Sequence, residues 1–522
     1  MERVKIEMES DVLYSVFGKI KKTSWICFFS GIVFGWITHF YMLTHKLPNW
    51  DDIMCIDNFG SGAQLGRWFL KYIYQFGGKW SVPALHGMIG IILLSISACF
   101  IMEIFRLKSV TAAVLVPLLM LTFPSVASNM TFMFMMHTSA LAILMLCIAV
   151  YLARRYRYGV FGCAVLLIFV LAIYQSYIAF AIALLIFGLM FDVFYEEKTG
   201  KQVFWEGVKY VAMLGISVFV YMQLCWIIYP NLVNETYGGV GEMGNIAVSQ
   251  MPRLILRCYK RVLDFFVLKP FDFMSEWTHR LNILVCILVA ALFVFVIVKK
   301  QFYKRKLESI MLVLLAFFAP LAMAFVYFMA PEVDYSMLML YAYVLVYICL
   351  LALWEQTQGL WRNKVIQHTI AWLTVGVLFL TAYQNYLVTN EAYFRMDIAF
   401  QRTVAYYQRI FARVEETEGY QYGDELFIAG DFYYVDNPSP VERVPMEDDR
   451  YREFSGIAME NGLITSGVRN HFVETYLGMQ MPEIEAERKE QILSSEEYQN
   501  MPIYPAQGCV KKIQDVWVIR LD

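Results

Sequence analysis

Charge is what this chain has least of. Only 17% of its 522 residues are Asp, Glu, Lys or Arg, where a soluble globular domain carries about a quarter. Hydrophobic residues make up 59% and aromatic residues 16%, with a mean hydropathy of +0.50. Most of the chain must therefore face lipid or protein rather than water. Other absences narrow the chemistry. There is no zinc-type Cys/His cluster, no P-loop and no glycine fingerprint for a dinucleotide. Most of the ten Cys stand singly in apolar runs and read as small core residues. Cys55, Cys258 and Cys509 lie in polar segments, where one disulfide is open but no spacing favours it. No heptad, tandem repeat or low-complexity tract is visible. No cleavable signal peptide is expected either: the first apolar run, Trp25 to Leu43, has full spanning length and no small-residue cleavage site follows it.

What is present is a series of apolar runs. A bilayer core needs about 20 apolar residues per helix. That ruler predicts spans near 24–44, 82–104, 109–125, 134–152, 159–174, 177–195, 207–229, 281–298, 308–328, 338–355 and 368–388, about eleven in all. Charge placement tests the pattern. With Lys19, Lys21 and Lys22 inside, every second connection is basic: Arg106 and Lys108; Arg154, Arg155 and Arg157; Lys198 and Lys201; Lys299 to Lys306; Arg362 and Lys364. This obeys the positive-inside rule. An odd number of spans then puts the 45–81 loop and the C-terminus outside. The charge balance changes at the same boundary: residues 389–522 hold 24 acidic and 13 basic residues, the remainder 21 and 30. The sequence thus divides into a transmembrane part, 1–388, and a small extracytoplasmic α/β part, 389–522. The latter reads as a helix out of the last span, a strand at Glu425–Gly430, an acidic helix over 483–498 and a terminal hairpin turning at Gln514-Asp515. Its scattered carboxylates are assigned to solubility.

The 45–81 loop carries the most chemistry. Adjacent carboxylates Asp51 and Asp52 come first, then Asp57 and a Gly-rich turn with Gly60, Gly62 and Gly66. Leu65, Trp68, Phe69, Tyr72, Ile73 and Phe76 then recur at helical spacing, with Gln64, Arg67, Lys71 and Gln75 opposite. The expectation is an interfacial helix, apolar side in lipid and cations toward water. A carboxylate pair beside such cations suits chemistry on a lipid-linked phosphate; a solvated loop, with Asp51 capping a short helix, is the plain alternative. Three other outside connections are polar: Pro124 to Asn129, Tyr174-Gln175-Ser176-Tyr177, and Pro331 to Ser336 with Glu332 and Asp334. Each alone reads as an ordinary loop, but their shared side with Asp51 and Asp52 points to a joint cavity. In the long 230–280 connection a proline-started helix, Pro252 to Phe266, carries Arg253, Arg257, Lys260 and Arg261. Cations outside oppose the charge rule. A bound phosphate would account for them, and so would anionic headgroups.

One external loop opening with Asn-Trp-Asp-Asp after the first span, followed by many spans, resembles the GT-C membrane glycosyltransferases. More narrowly, the chain resembles the Gtr type II glucosyltransferase family. Asp51-Asp52, Gly66-Arg67-Trp68 and Tyr174-Gln175-Ser176-Tyr177 carry the likeness, whose layout covers about residues 20–390. The resemblance implies a GT-C-like polytopic fold in a bacterial plasma membrane and a polyprenyl-phosphate sugar, glucose, as donor. It also implies a surface polysaccharide as acceptor and inversion by a single displacement, with Asp51 and Asp52 as the catalytic pair. Glu332 and Asp334 stand where the family pattern would place a cation. The donor phosphate would then fall to Arg67, Lys71, Arg253, Arg257 and Lys260, and the sugars to Tyr174, Gln175, Tyr177, Glu332 and Asp334. One Asp would take the acceptor proton; the other would orient the acceptor or bind a divalent Mg or Mn. No cofactor is otherwise implied, and nucleic acid is not a partner. A flippase for lipid-linked sugars is the main alternative, disfavoured by the absence of repeats and of mid-membrane charge. A non-catalytic envelope scaffold is another.

Overall fold

The computed structural model describes residues 18–56, 65–229, 247–268, 271–331, 336–430, 454 and 468–521. Asp57, Gly60, Gly62, Gln64, Glu332, Asp334, the Gly-rich stretch 238–244 and the acidic run 447–449 lie outside them. Among the described residues eight helices are long and apolar enough to cross a membrane: Lys22–Thr44, Pro83–Phe105, Met136–Arg155, Gln175–Phe194, Gly200–Ile228, Glu276–Lys299, Lys306–Met323 and Lys364–Glu415. A ninth results if the bent pair Val110–Thr122 and Pro124–Met130 is one span. Two further predicted spans are shorter apolar helices, Gly159–Leu171 and Tyr341–Gln356. The molecule is a polytopic helical membrane protein.

Local chemistry sets the helix ends. Ser109 accepts a hydrogen bond from the Ala112 N–H at 3.0 Å, and Ser275 from Thr278 at 3.1 Å. Thr199 and Gln202 form a reciprocal capping box. Pro83 occupies a first-turn position, where its missing N–H costs nothing. The bend in the third predicted span comes from Pro124. Proline disfavours helical geometry in the residue before it. Phe123 is accordingly extended, with φ −64° and ψ 136°, and the helix resumes at 50° to its former axis. That bend turns Ser125, Ser128 and Asn129 into the protein interior.

The basic connections gather at one end of the bundle. Fully buried Asp192 accepts from Arg106 (2.9 Å), Arg154 (2.7 Å) and Lys198 (2.8 Å). Arg305 pairs with Glu196, and Lys300 donates to the Phe194 carbonyl. Three connections far apart in sequence therefore meet on one carboxylate, which matches the alternation read from their charges.

The helix Lys364–Glu415 runs unbroken through position 388 for 52 residues, about 78 Å at 1.5 Å per residue. A bilayer core takes about 30 Å of that. The far end packs against a three-stranded sheet of β1 (Leu426–Ala429), β2 (Val510–Ile513) and β3 (Val516–Arg520), in the order β1-β3-β2. β1 pairs parallel to β3, with Leu426 opposite Trp517. β2 and β3 form the expected hairpin, Ile513 opposite Val516. Gln514 and Asp515 both have positive φ, 50° and 65°, the backbone that a two-residue hairpin turn requires. Strand alternation divides the sheet's two faces. Trp517 and Ile519 pack toward Tyr406, Ile410 and Val414 of the long helix. Val516 and Val518 face Ile492 and Tyr498 of the short helices Ala486–Ser494 and Glu496–Gln499.

One sequence expectation is corrected. The 65–77 segment is helical only over Leu70–Gly77 and buries Leu70, Ile73, Tyr74 and Gly77. Phe76 and Tyr72 point outward, 93% and 61% exposed. Gly66, at φ +75°, breaks the pattern before the helix begins. None of the ten Cys is in a disulfide. Cys258 belongs to the bundle core and Cys509 to the core beneath the sheet.

Candidate active site

The carboxylate pair sits on a five-residue helix, Trp50–Met54. Its cap is Asn49 rather than Asp51. The Asn49 side chain accepts from the Asp52 N–H at 2.9 Å, and Asp52 Oδ2 accepts from the Asn49 N–H at 3.1 Å. Asn49 Nδ2 also donates to the Thr131 carbonyl at 2.9 Å. Asp52 Oδ1 accepts from the Phe134 N–H at 3.3 Å. Asp52 thus has both oxygens committed to backbone donors and ties the loop to the turn that follows the bent helix. It is fully buried. Burial pushes its carboxyl well above the usual range, while the N–H groups of Asn49, Phe134 and Met133 pull the other way.

Asp51, one residue earlier on the same turn, is half-buried. Burial raises its carboxyl, and the Arg67 guanidinium opposes the rise. Arg67 acts at a distance, with no ion pair to Asp51 within 4.0 Å. Its guanidinium lies over the Tyr174 ring, 4.7 Å from the centroid, and its Nε is buried with no hydrogen-bond partner. Among the described residues the carboxylate and the guanidinium interact without forming an ion pair. Tyr74, from the helix Leu70–Gly77, sits beside them: Asp51 and Cys55 add to the burial that raises its phenol, while Arg67 lowers it.

A backbone clasp holds Arg67 there. Gln175 Nε2 donates to the Leu65 carbonyl (2.7 Å) and to the Tyr221 hydroxyl (2.8 Å), and Tyr221 donates to the Gly66 carbonyl (3.1 Å). A Cβ on Gly66 would collide with the Tyr221 hydroxyl and stand 3.1 Å from Gln175 Nε2, so no other residue fits this turn. Tyr177 donates to Asn129 Oδ1 at 3.3 Å, joining the clasp to the bent helix. Pro124–Met130 in turn packs on the Met337–Met339 turn. Loops from four parts of the sequence therefore meet at one end of the bundle, opposite the basic end.

The predicted cations divide. Arg67 is at the pair; Lys71 is exposed. Helix Met251–Leu263 buries Leu254, Cys258 and Val262 against Lys306–Met323 and Phe325–Met329. On it Arg253 and Lys260 are exposed, Arg257 donates to the Pro331 carbonyl, and Arg261 lies over the Tyr327 ring. Neither Asp51 nor Asp52 is ion-paired or electrostatically coupled to this helix among the described residues. Arg257 does meet the chain one residue before Glu332, which itself lies outside the described residues. Among the described residues no three His, Cys, Asp or Glu side chains converge as a metal site.

Sequence reasoning missed Asn49 as the cap, Tyr74, and Tyr221. The Asn-x-x-Asp spacing was a readable capping signal. Tyr74 and Tyr221 sit in apolar segments where nothing local marks them.

The molecule is thus a polytopic helical bundle that brings a half-buried carboxylate, Asp51, and Arg67 to one end, with no ion pair between them among the described residues. The family described as glucosyl transferase GtrII matches residues 40–395, and the chain belongs to it. It is a membrane glycosyltransferase of the glucosyltransferase type. No curated protein and no solved structure matches the chain.

Proposed function

We propose that this chain transfers glucose from a polyprenyl-phosphate donor to a cell-surface glycan at the extracytoplasmic face of the plasma membrane, in one inverting displacement. The observation that carries the reading is the proximity of Asp51 and Arg67, which interact electrostatically but share no ion pair among the described residues. In this reading Asp51 takes the proton of the acceptor hydroxyl as its oxygen attacks the anomeric carbon. The bond from that carbon to the phosphate oxygen breaks, and its electron pair leaves on the phosphate. A positioned base contributes typically about 10²–10⁴-fold. Arg67 meets the charge that develops on the phosphate, where a fixed donor in a water-poor site is most effective. Asp52 orients its neighbour by pinning the helix. Tyr174, Gln175 and Tyr177 hold Arg67 and the floor of the site. Arg253, Arg257 and Lys260, with Lys71, provide a second cationic surface for the lipid phosphate as the donor approaches. No step is routed through a metal.

The side of the membrane follows from charge: the end at Asp192 collects the basic connections and is read as cytoplasmic. Arg154 and Lys198 both reach Asp192, so the chain between them must leave that end and return. That supports counting Gly159–Leu171 as a leg and a total of eleven. The purified protein in detergent, given polyprenyl-phosphate glucose and surface polysaccharide from cells lacking the chain, should form glucosylated product without a membrane gradient. Asp51→Asn should abolish at least 99% of the rate, about the 10² expected of a base. Gradient-dependent movement of the lipid with no glycosidic product would make the chain a flippase.

A further inference from the structure

The scattered carboxylates of the C-terminal unit suit a solvated surface, but the unit also packs on the helix that bears the carboxylate pair. Helix Arg469–Phe472 packs directly on helix Trp50–Met54. Ile53, next to Asp52, is fully buried in a cluster with Ala399, Tyr406, Ile410, Phe472 and Val473, separate from the bundle core. The five residues that bear the pair are therefore held from two sides. Asn49 and Asp52 bond to the membrane bundle; Ile53 is seated in the C-terminal unit.

The chain continues from Phe472 into a π-helical turn, Val473–Leu477. Such turns are rare and frequently sit at functional sites. This one carries Tyr476. Its ring stacks on Phe472 at 5.1 Å and meets Phe400 edge-on at 5.3 Å. The ring's neighbours are aromatic, which accounts for its packing but not for its hydroxyl. The hydroxyl oxygen is buried and makes no hydrogen bond among the described residues, although a buried phenol normally has a partner. It is near enough to Asp52 for that carboxylate to add to the burial that raises the phenol. In the transferase reading the donor's lipid stays with the membrane bundle, which leaves the acceptor as the substrate assigned to the C-terminal unit.

We propose that Tyr476 is an acceptor-binding residue, its hydroxyl bonding a sugar hydroxyl of the acceptor beside the Asp51–Asp52 helix, so that the C-terminal unit completes the transferase site. The inference rests on the transferase reading above. The test uses the full chain in detergent, polyprenyl-phosphate glucose as donor, and surface polysaccharide from cells lacking the chain as acceptor. Tyr476→Phe removes only the hydroxyl. Acceptor KM should rise about 3- to 10-fold, the worth of one hydrogen bond, with donor KM and the melting temperature unchanged. Equilibrium binding of the same polysaccharide without donor should weaken by the same factor. Unchanged acceptor KM and binding in an active enzyme overturn the assignment. So does a fall in kcat that tracks a lowered melting temperature, because that marks a packing role. If the wild-type chain forms no product, the transferase reading itself fails, and that is seen before any variant is compared.

Discussion

Two adjacent aspartates with the same charge occupy different physical situations, and single substitutions should separate them. Asp52 spends both oxygens on backbone N–H groups; the Asp51 side chain spends none among the described residues. Asp52→Ala loses the reciprocal cap, about 1 kcal/mol, and leaves buried donors unpaired at about 1–3 kcal/mol more. The melting temperature should drop measurably, and activity with it. Asp51→Asn should leave the melting temperature unchanged while the rate collapses. Arg67 adds a pH signature. A base works ionised, so the rate falls as pH drops through its pKa. Burial holds the Asp51 carboxyl above its ordinary value and Arg67 holds it down. Removing that cation in Arg67→Gln should move the acid limb of the rate profile to higher pH, whereas Arg67→Lys should largely retain it. An acid limb that stays in place would separate Arg67 from the base.

Among the elements, the turn at Gly66 matters most because it decides where Arg67 points. Gly66→Ala faces both a left-handed φ, about 1–2 kcal/mol for an L-residue, and a collision with Tyr221. Transfer should fall at least tenfold, and Tyr221→Phe combined with Gly66→Ala should not rescue it, since the φ cost remains. The helix Met251–Leu263 makes a different prediction. Its exposed Arg253 has no partner among the described residues, so Arg253→Ala should raise donor KM without lowering the melting temperature. Arg257→Ala should do the same and also loosen the segment at Pro331, whose carbonyl it holds. Unchanged donor KM in both would leave this helix a headgroup anchor.

For the whole molecule, the decisive arrangement is a bundle whose basic end is tied at Asp192 and whose other end carries the carboxylates under the C-terminal unit. A reporter fused after Asp522 should be active only outside the cytoplasm, as alternate basic connections require. Cytoplasmic activity would place Asp51 inside, away from any surface glycan, and would overturn the proposed acceptor.

Much of this was legible in the chain itself. Apolar runs and alternating basic connections set the helices and their order, because lipid imposes length and charge rules on each segment separately. The hairpin at Gln514-Asp515 and the proline-started helix at 251 were equally local. Asp51 and Arg67 were visible as candidates for the same reason: each stands out against its neighbours. What only the tertiary structure decided was selection among like residues. Periodicity put Arg67 and Lys71 on one helix face, yet the positive φ at Gly66 and the Gln175–Tyr221 clasp turned Arg67 inward and left Lys71 outside. Adjacency made Asp51 and Asp52 equivalent, until Phe134, 82 residues away, claimed one of them. Tyr476 had no local signal at all. Its place beside Asp52 depends on a helix about 78 Å long carrying a separate folded unit back over the first loop, a relation between distant surfaces that no window of sequence contains.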